Sequence, residues 1–318
     1  MKNKKLNVLI CGATGFIGKN MAYHFSKKKN IKVFATYHLK NKFKIDNVNW
    51  IKANLCNKIE VNKVLKNIDI VIQAAATTSG SKDIVNKPQT HVTDNAIMNS
   101  YIMSSAFENK VKHVIFFSCT VMYPGSNFPL KENSVKLNTN LEKKYFGVGH
   151  TKLYIEKICE FFGNIGKTKY TCIRHSNIYG PDDKFDLEKG HFFASNLMKI
   201  LHTKNNEINI WGKGIEKRDL LYISDLSNFV DKAIKFQKTK FKIYNCTYGK
   251  SFKVIDIIKK MIKHYNKNIK INFDLTKPSI PVNILVDSSK AYKELGWKPK
   301  VKIDQGITKT IKWLKQNT

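Results

Sequence analysis

The sequence predicts an α/β fold, a doubly wound parallel sheet followed by a smaller C-terminal lobe, and three observations carry that expectation. Short apolar runs alternate with stretches of helical periodicity through the first half of the chain. A glycine-rich turn, Gly12-Ala13-Thr14-Gly15-Phe16-Ile17-Gly18, separates the first apolar run from the first helical stretch. The alternation then breaks down after Gly180-Pro181.

Leu6 to Cys11 reads as a fully buried strand, Phe16 to Lys27 as a helix and Ile31 to Thr36 as a second strand, which together make a βαβ unit. Strand-like runs recur at Val48 to Ile51, Ile68 to Gln73, Val111 to Phe117 and Tyr170 to Arg174. Helical periodicity lies between them at Glu60 to Lys66, Asp94 to Asn109 and Thr151 to Phe162. The expected division is a sheet domain over 1–178, to which a segment near 220–248 returns, and a lobe over most of 179–318. There is no internal repeat, and Asn205-Asn206 and Asn266 to Lys270 read as exposed loops. Ligand is expected between sheet and lobe, beyond the carboxyl ends of the strands.

The 318 residues, 42% of them hydrophobic, suffice for one large core. No apolar run approaches the roughly 20 residues of a membrane span. The basic Met1 to Lys5 leads into a strand instead of an apolar helix, so no signal peptide and a cytoplasmic protein are expected. Cys11, Cys56, Cys119, Cys159, Cys172 and Cys246 form no C-x-x-C pair, which argues against a disulfide framework or a zinc site, and no metal is expected. The net charge is +32, yet among 56 basic residues only Arg174 and Arg218 are arginines and the lysines are dispersed. Nucleic-acid readers cluster their charge and use arginine forks, so no specific nucleic-acid partner is expected; the positive field favours small anionic substrates.

A glycine turn between a strand and a helix places free backbone N–H groups at the positive end of the helix dipole, a seat for a pyrophosphate. Gly12, Thr14, Gly15, Phe16, Ile17 and Gly18 are therefore the candidate dinucleotide loop. A carboxylate after the second strand would select the 2′-hydroxyl of NAD, but that region reads Ala35-Thr36-Tyr37-His38-Leu39-Lys40. His38 or Lys40 would meet a 2′-phosphate, which favours NADP and leaves NAD as the alternative.

With Ala74-Ala75-Ala76 and Asn177-Ile178-Tyr179-Gly180-Pro181, this loop resembles the NAD-dependent epimerase/dehydratase family of extended short-chain dehydrogenases/reductases, which have Rossmann-type sheets. Phe185 to His191, Trp211-Gly212-Lys213-Gly214 and Arg218-Asp219 look most like its GDP-L-fucose synthase branch of 3,5-epimerases and 4-ketoreductases, and Leu295-Gly296-Trp297 is a further family feature. The resemblance implies an NAD(P)-dependent epimerase or reductase acting on a nucleotide-activated hexose or deoxyhexose, in surface polysaccharide assembly. It also implies that Leu55 flanks the adenine, Ala74, Ala75 and Ala76 line the cofactor, and Asn95 stands behind the active site. Asn177, Trp211 and Arg218 would hold substrate, and the helices of Asp94 to Asn109 and of Lys152 would pair in a homodimer.

The family's chemistry needs a tyrosine four residues before a lysine, so that the ammonium depresses the phenol's pKa. The lysine is Lys152, which would also bind cofactor, but Val148 stands at the tyrosine position. Tyr145, seven residues before Lys152, returns to a similar face after two turns and is either the substitute or a pocket wall; Gly147 and Gly149 make this stretch a poor helix. Cys119 occupies the family's serine or threonine position, with Ser118 and Thr120 beside it, and is either a relocated base or a small buried hydrophobe. The branch's epimerising cysteine corresponds to Val121, whereas its epimerising histidine corresponds to His191; His150 reads as structural. No basic residue stands at Pro281-Val282-Asn283-Ile284, where the family supplies one to the diphosphate. A dehydratase, and a non-catalytic dinucleotide-binding regulator or scaffold, are the alternative functions.

Overall fold

An apolar run has to be covered on both faces, and β1 (Leu6–Cys11) meets that requirement at the heart of a parallel sheet, where Val8 to Cys11 are fully buried. The computed structural model describes residues 5–78, 86–187, 190–265, 268–276 and 283–317. β2 (Ile31–Tyr37), β3 (Val48–Lys52), β4 (Ile70–Gln73), β5 (His113–Cys119) and β6 (Lys169–His175) follow in the chain. The short β7 (Asn177–Tyr179), β8 (Glu207–Trp211) and β9 (Lys217–Tyr222) intervene before β10 (Phe241–Cys246) rejoins the main sheet at its edge. Its order is β10-β6-β5-β4-β1-β2-β3, with every neighbouring pair parallel. The chain thus winds away from β1 in both directions, and the ends of β1 and β4 meet at the switch point where ligands bind such sheets.

Alternation along β1 separates two cores, with Val8 and Ile10 on one face and Leu9 and Cys11 on the other. The first face is covered by α1 (Phe16–Ser26), and the second by α2 (Lys58–Leu65), α3 (Thr93–Glu108) and α4 (Phe146–Ile165). α2 begins two residues before its periodicity because Asn57 caps it, Oδ1 accepting from the N–H groups of Ile59 and Glu60 at 2.9 and 3.2 Å.

The larger departure is α4, which begins at Phe146 and runs through both glycines that its sequence seemed to forbid. A Cβ on Gly149 would lie 2.6 Å from Leu141 Cδ1, and one on Gly147 would lie 3.0 Å from Val92 Cγ2. Close packing of the helix start offsets a propensity cost of about 1 kcal/mol per glycine.

In the lobe, β11 (Ser251–Lys253) pairs with β9, which pairs with β7, while β12 (Lys270–Asp274) pairs with β8. Four helices lie in this part of the chain together with α6 (Ile223–Phe236): α5 (Phe192–His202), α7 (Val254–Tyr265), α8 (Ser289–Leu295) and α9 (Ile303–Asn317). Trp297 is fully buried and donates its indole N–H to Asp225 O at 3.0 Å, while Asp225 Oδ2 accepts from Lys300 and Val301 N–H at 3.1 and 3.0 Å. Asn205 and Asn206 are exposed in a turn, whereas Asn266 and Lys267 lie outside the described residues. Among the described residues no helix is long and apolar enough to cross a membrane.

Candidate active site

The glycine loop is strapped to the sheet by its own backbone. Gly12 N–H donates to Thr36 Oγ1 and Ala13 N–H to Thr36 O, both at 3.0 Å. Gly12 has φ +70°, and a Cβ there would lie 2.5 Å from Ala75 Cα; one on Gly18 would lie 2.2 Å from Gly12 O. No side chain caps α1 at Gly15 and no acid occupies its first turn, so the amides of Phe16, Ile17 and Gly18, together with Thr14 beside them, face an anion unopposed. Gln73 holds the facing turn by bonding Ala75 O and Ala75 N–H at 3.2 and 3.3 Å, and Ala74 N–H donates to Cys11 O. Asn95 clamps the segment beyond Ala76, accepting from Thr77 N–H at 3.0 Å and donating to Thr77 O at 2.8 Å. Leu55 is buried past β3, while His38 and Lys40 stand exposed just beyond β2. This cradle, with free backbone N–H groups at the helix start and small side chains facing them, fits a dinucleotide.

Lys152 Nζ donates to Phe117 O at 2.8 Å and lies 4.7 Å from the centre of the Phe116 ring. Burial lowers the Lys152 pKa, opposed by Cys119 and Glu156. Cys119 is half-buried at the end of β5; burial raises its thiol pKa, and Lys152 and the Val121 N–H oppose the rise. Thr120 stands half-buried next to it. Tyr145 forms the N-cap of α4, and burial raises its phenol while Arg218 pulls it down and Cys119 and Glu142 push it up. The structure therefore gathers Tyr145 from the helix start, Cys119 from the sheet and Arg218 from the lobe. Arg218, Cys119 and Glu142 are the leading charges on the phenol, whereas Lys152 acts on Cys119 and on His175.

His191 is the N-cap of α5 and is exposed to solvent; desolvation by the surrounding protein, then Lys184 and His91, lower its pKa. Asn177 Nδ2 donates to Asp219 O at 3.0 Å, and Trp211 lies under Lys199, whose Nζ is 5.5 Å from the ring centre. Arg218 Nη1 donates to Lys217 O at 2.9 Å. Asp219 accepts from Tyr248 and Gly249 N–H at 2.9 and 2.7 Å, and Asp225 from Lys300 and Val301 N–H. His150 donates from Nδ1 to Phe146 O at 2.9 Å, a bond within α4. Pro281 and Val282 lie outside the described residues.

Beneath these groups lies a buried ion pair that sequence reasoning missed. Arg174 donates from Nε to Glu156 Oε1 at 2.9 Å and from Nη2 to Oε2 at 2.7 Å, and each residue is 2% exposed. Ser118 Oγ also donates to Glu156 Oε1, at 2.7 Å, which removes Ser118 from the residues that can reach a sugar. Arg174 Nη1 meets Tyr123 OH at 3.1 Å, and that hydroxyl donates to Asn245 Oδ1 at 2.6 Å. The available signal was one of only two arginines placed inside a strand, with Glu156 one turn beyond Lys152 on the same helix. Among the described residues no group of three or more His, Cys, Asp or Glu could hold a metal ion.

Asp183, on the loop toward His191, is 7% exposed; Oδ1 accepts from Lys184 N–H at 2.7 Å and Oδ2 is buried without a partner among the described residues. Burial raises its pKa to about 7. A carboxyl whose folded pKa is raised above its unfolded value stabilises the fold below the unfolded pKa and loses that contribution as pH rises through the folded one. Asp183→Asn is expected to be more stable than wild type at pH 8 by about 1–3 kcal/mol and so to unfold at higher temperature, with the difference fading towards pH 4 in a pH series of thermal melts. A pH-independent difference would show that Asp183 does not titrate with folding.

The chain matches the NAD dependent epimerase/dehydratase family over residues 8–247. It is 27% identical over 316 residues to GDP-L-colitose synthase of Yersinia pseudotuberculosis, with 97% of each chain covered. It is 24% identical over 318 residues to GDP-L-fucose synthase of Azorhizobium caulinodans, covering 98% of this chain and 96% of that one. Among solved structures it is similar to UDP-glucose 4-epimerase from Thermotoga maritima with UDP-glucose, at TM-score 0.86 and 22% identity over 98% of this chain and 99% of that one. UDP-glucuronic acid 4-epimerase from Bacillus cereus, in complex with UDP-glucuronic acid and NAD, gives TM-score 0.85 at 22% identity over 98% and 100%.

Proposed function

This chain belongs to the NAD-dependent epimerase/dehydratase family, and from that premise we propose that it is an NAD(P)-dependent epimerase and ketoreductase of a GDP-fucose-synthase-like kind, acting on a hexose or deoxyhexose nucleotide. The observation that carries the reading is the gathering of Lys152, Cys119, Tyr145 and Arg218 at the end of the sheet that bears the dinucleotide loop. The nicotinamide, when bound, supplies or accepts the hydride.

The chain's own groups do the rest. Arg218 offers a guanidinium fork to the diphosphate, with Asn177 and Trp211 on the same lobe. Tyr145 and Thr120 donate hydrogen bonds to the sugar. His191 and Cys119 are the groups that trade a proton on a carbon next to a carbonyl, made acidic by that carbonyl. Lys152 supplies the local positive charge and binds cofactor. Exposed His38 and Lys40 favour NADP. The groove of about 560 Å³ between α3 and α4, lined by Tyr101, Tyr154 and Phe161, is the face of a homodimer, in a cytoplasmic enzyme of surface polysaccharide assembly.

The test is incubation of pure protein with NADPH and a 4-keto-6-deoxy GDP-sugar in heavy water, following nicotinamide absorbance and sugar NMR. Oxidation of NADPH with deuterium entering the sugar is the expected result. Deuterium entry alone would leave an epimerase, and neither would reject the reading for this sugar.

A further inference from the structure

β5 and β6 run in parallel register up to Cys119 and His175, so the two side chains leave the carboxyl end of the sheet side by side, His175 being also the partner of Cys246 on β10. The His175 ring is half-buried, with its centre 6.1 Å from that of Phe117, the residue whose carbonyl takes the Lys152 ammonium. Nδ1 lies 2.8 Å from Ser176 O. A carbonyl only accepts, so the proton is on Nδ1 and Nε2 carries a lone pair. Among the described residues no hydrogen bond reaches Nε2, so this lone pair at the end of the sheet is left to accept one.

We propose that His175 Nε2 exchanges the proton with the sugar's reacting oxygen, the task left without a phenol by Val148. This rests on the nucleotide-sugar reading above. In the oxidative direction the carbinol C–H gives its hydride to the nicotinamide and the hydroxyl proton passes to Nε2. In the reductive direction the hydride arrives at carbon and the imidazolium returns its proton to the oxygen, so that atoms and charge balance. Tyr145 stays protonated throughout and only donates a hydrogen bond.

The surroundings fit a neutral resting imidazole. Lys152 on α4 acts on His175 as a cation, His191 at the start of α5 opposes its protonation when itself protonated, and the thiols of Cys119 and Cys246 are raised by burial and carry no charge at neutral pH. Burial first, then Lys152 and His191, brings the His175 pKa down to about 4, against the opposing bond to Ser176 O.

The test uses the intact protein with NADPH and the 4-keto-6-deoxy GDP-sugar. For wild type, kcat/KM for reduction is expected to fall about tenfold per pH unit from pH 5 to 8, because the required imidazolium becomes scarcer. A profile flat over that range, as a phenol of ordinary pKa would give, overturns the assignment. His175→Gln is expected to lose about 100-fold or more in kcat with the NADPH dissociation constant, read by fluorescence, unchanged. Adding Val148→Tyr to that variant is expected to restore at least about tenfold, since it returns a phenol four residues before Lys152, a rescue that a packing role for His175 would not allow. His175→Gln turning over at the wild-type rate, or a double variant no better than the single one, also overturns the assignment. No turnover by wild type rejects the functional reading itself and the assignment with it; turnover by wild type separates the two.

Discussion

Lys152→Ala is expected to slow reduction of the 4-keto sugar by about 10²–10⁴-fold, measured as nicotinamide absorbance under saturating NADPH. The ammonium is fixed by the Phe117 carbonyl at 2.8 Å and is the charge that acts on both Cys119 and His175. Without it the cleft loses the charge assigned to the cofactor and the thiol loses its largest opposition to burial, which sets the fall in rate. His175, held neutral first by burial, loses one of the charges that lower it further, so its pKa rises and only partly offsets that fall. The pH profile should therefore move as well as the rate, with the reductive slope beginning at higher pH in the variant. A variant within threefold of the wild-type rate, at any pH between about 5 and 8, would remove Lys152 from the chemistry.

Glu156→Ala is expected to cost about 3–5 kcal/mol of folding stability, read from denaturant midpoints. The carboxylate accepts two bonds from Arg174 and one from Ser118 in a place that water does not reach. Truncation leaves a buried guanidinium with only Tyr123 and the Glu132 carbonyl as described partners. The unpaired charge, and not the lost attraction alone, sets the size of the effect. A double variant, Glu156→Leu with Arg174→Met, is expected to recover most of the loss, because it removes both charges while keeping apolar volume. A single variant that loses less than about 1 kcal/mol would show that water or a shift of α4 compensates.

The sheet was legible because its strands are continuous apolar runs, which burial on both faces demands, and each lies within two residues of its expected limits. α4 was misjudged at its start because helix propensity counts the cost of Gly147 and Gly149 but not the approach of Leu141 and Val92 that they permit. The dinucleotide loop was legible as a local pattern. The cluster at the end of β5 was legible only in part, since Cys119, Tyr145 and Lys152 come from neighbouring elements whereas Arg218 arrives from the lobe. His175 and the Glu156–Arg174 pair were not seen, because register between strands and burial decide their roles, and neither is written in spacing along the chain.

Asn245, on the edge strand β10, donates to Leu130 O and Asp287 O, accepts from Tyr123 OH and has its N–H held by Glu132 Oε1. Segments from the middle and the end of the chain are therefore cinched by one amide that leaves the ribosome more than a hundred residues after Tyr123. Until then the β6 edge has no neighbour in the sheet and offers open backbone to any other chain. Assembly of the cleft consequently waits on long-range contacts late in synthesis, which slows folding and makes the nascent first three-quarters of the molecule the stage most in need of a chaperone.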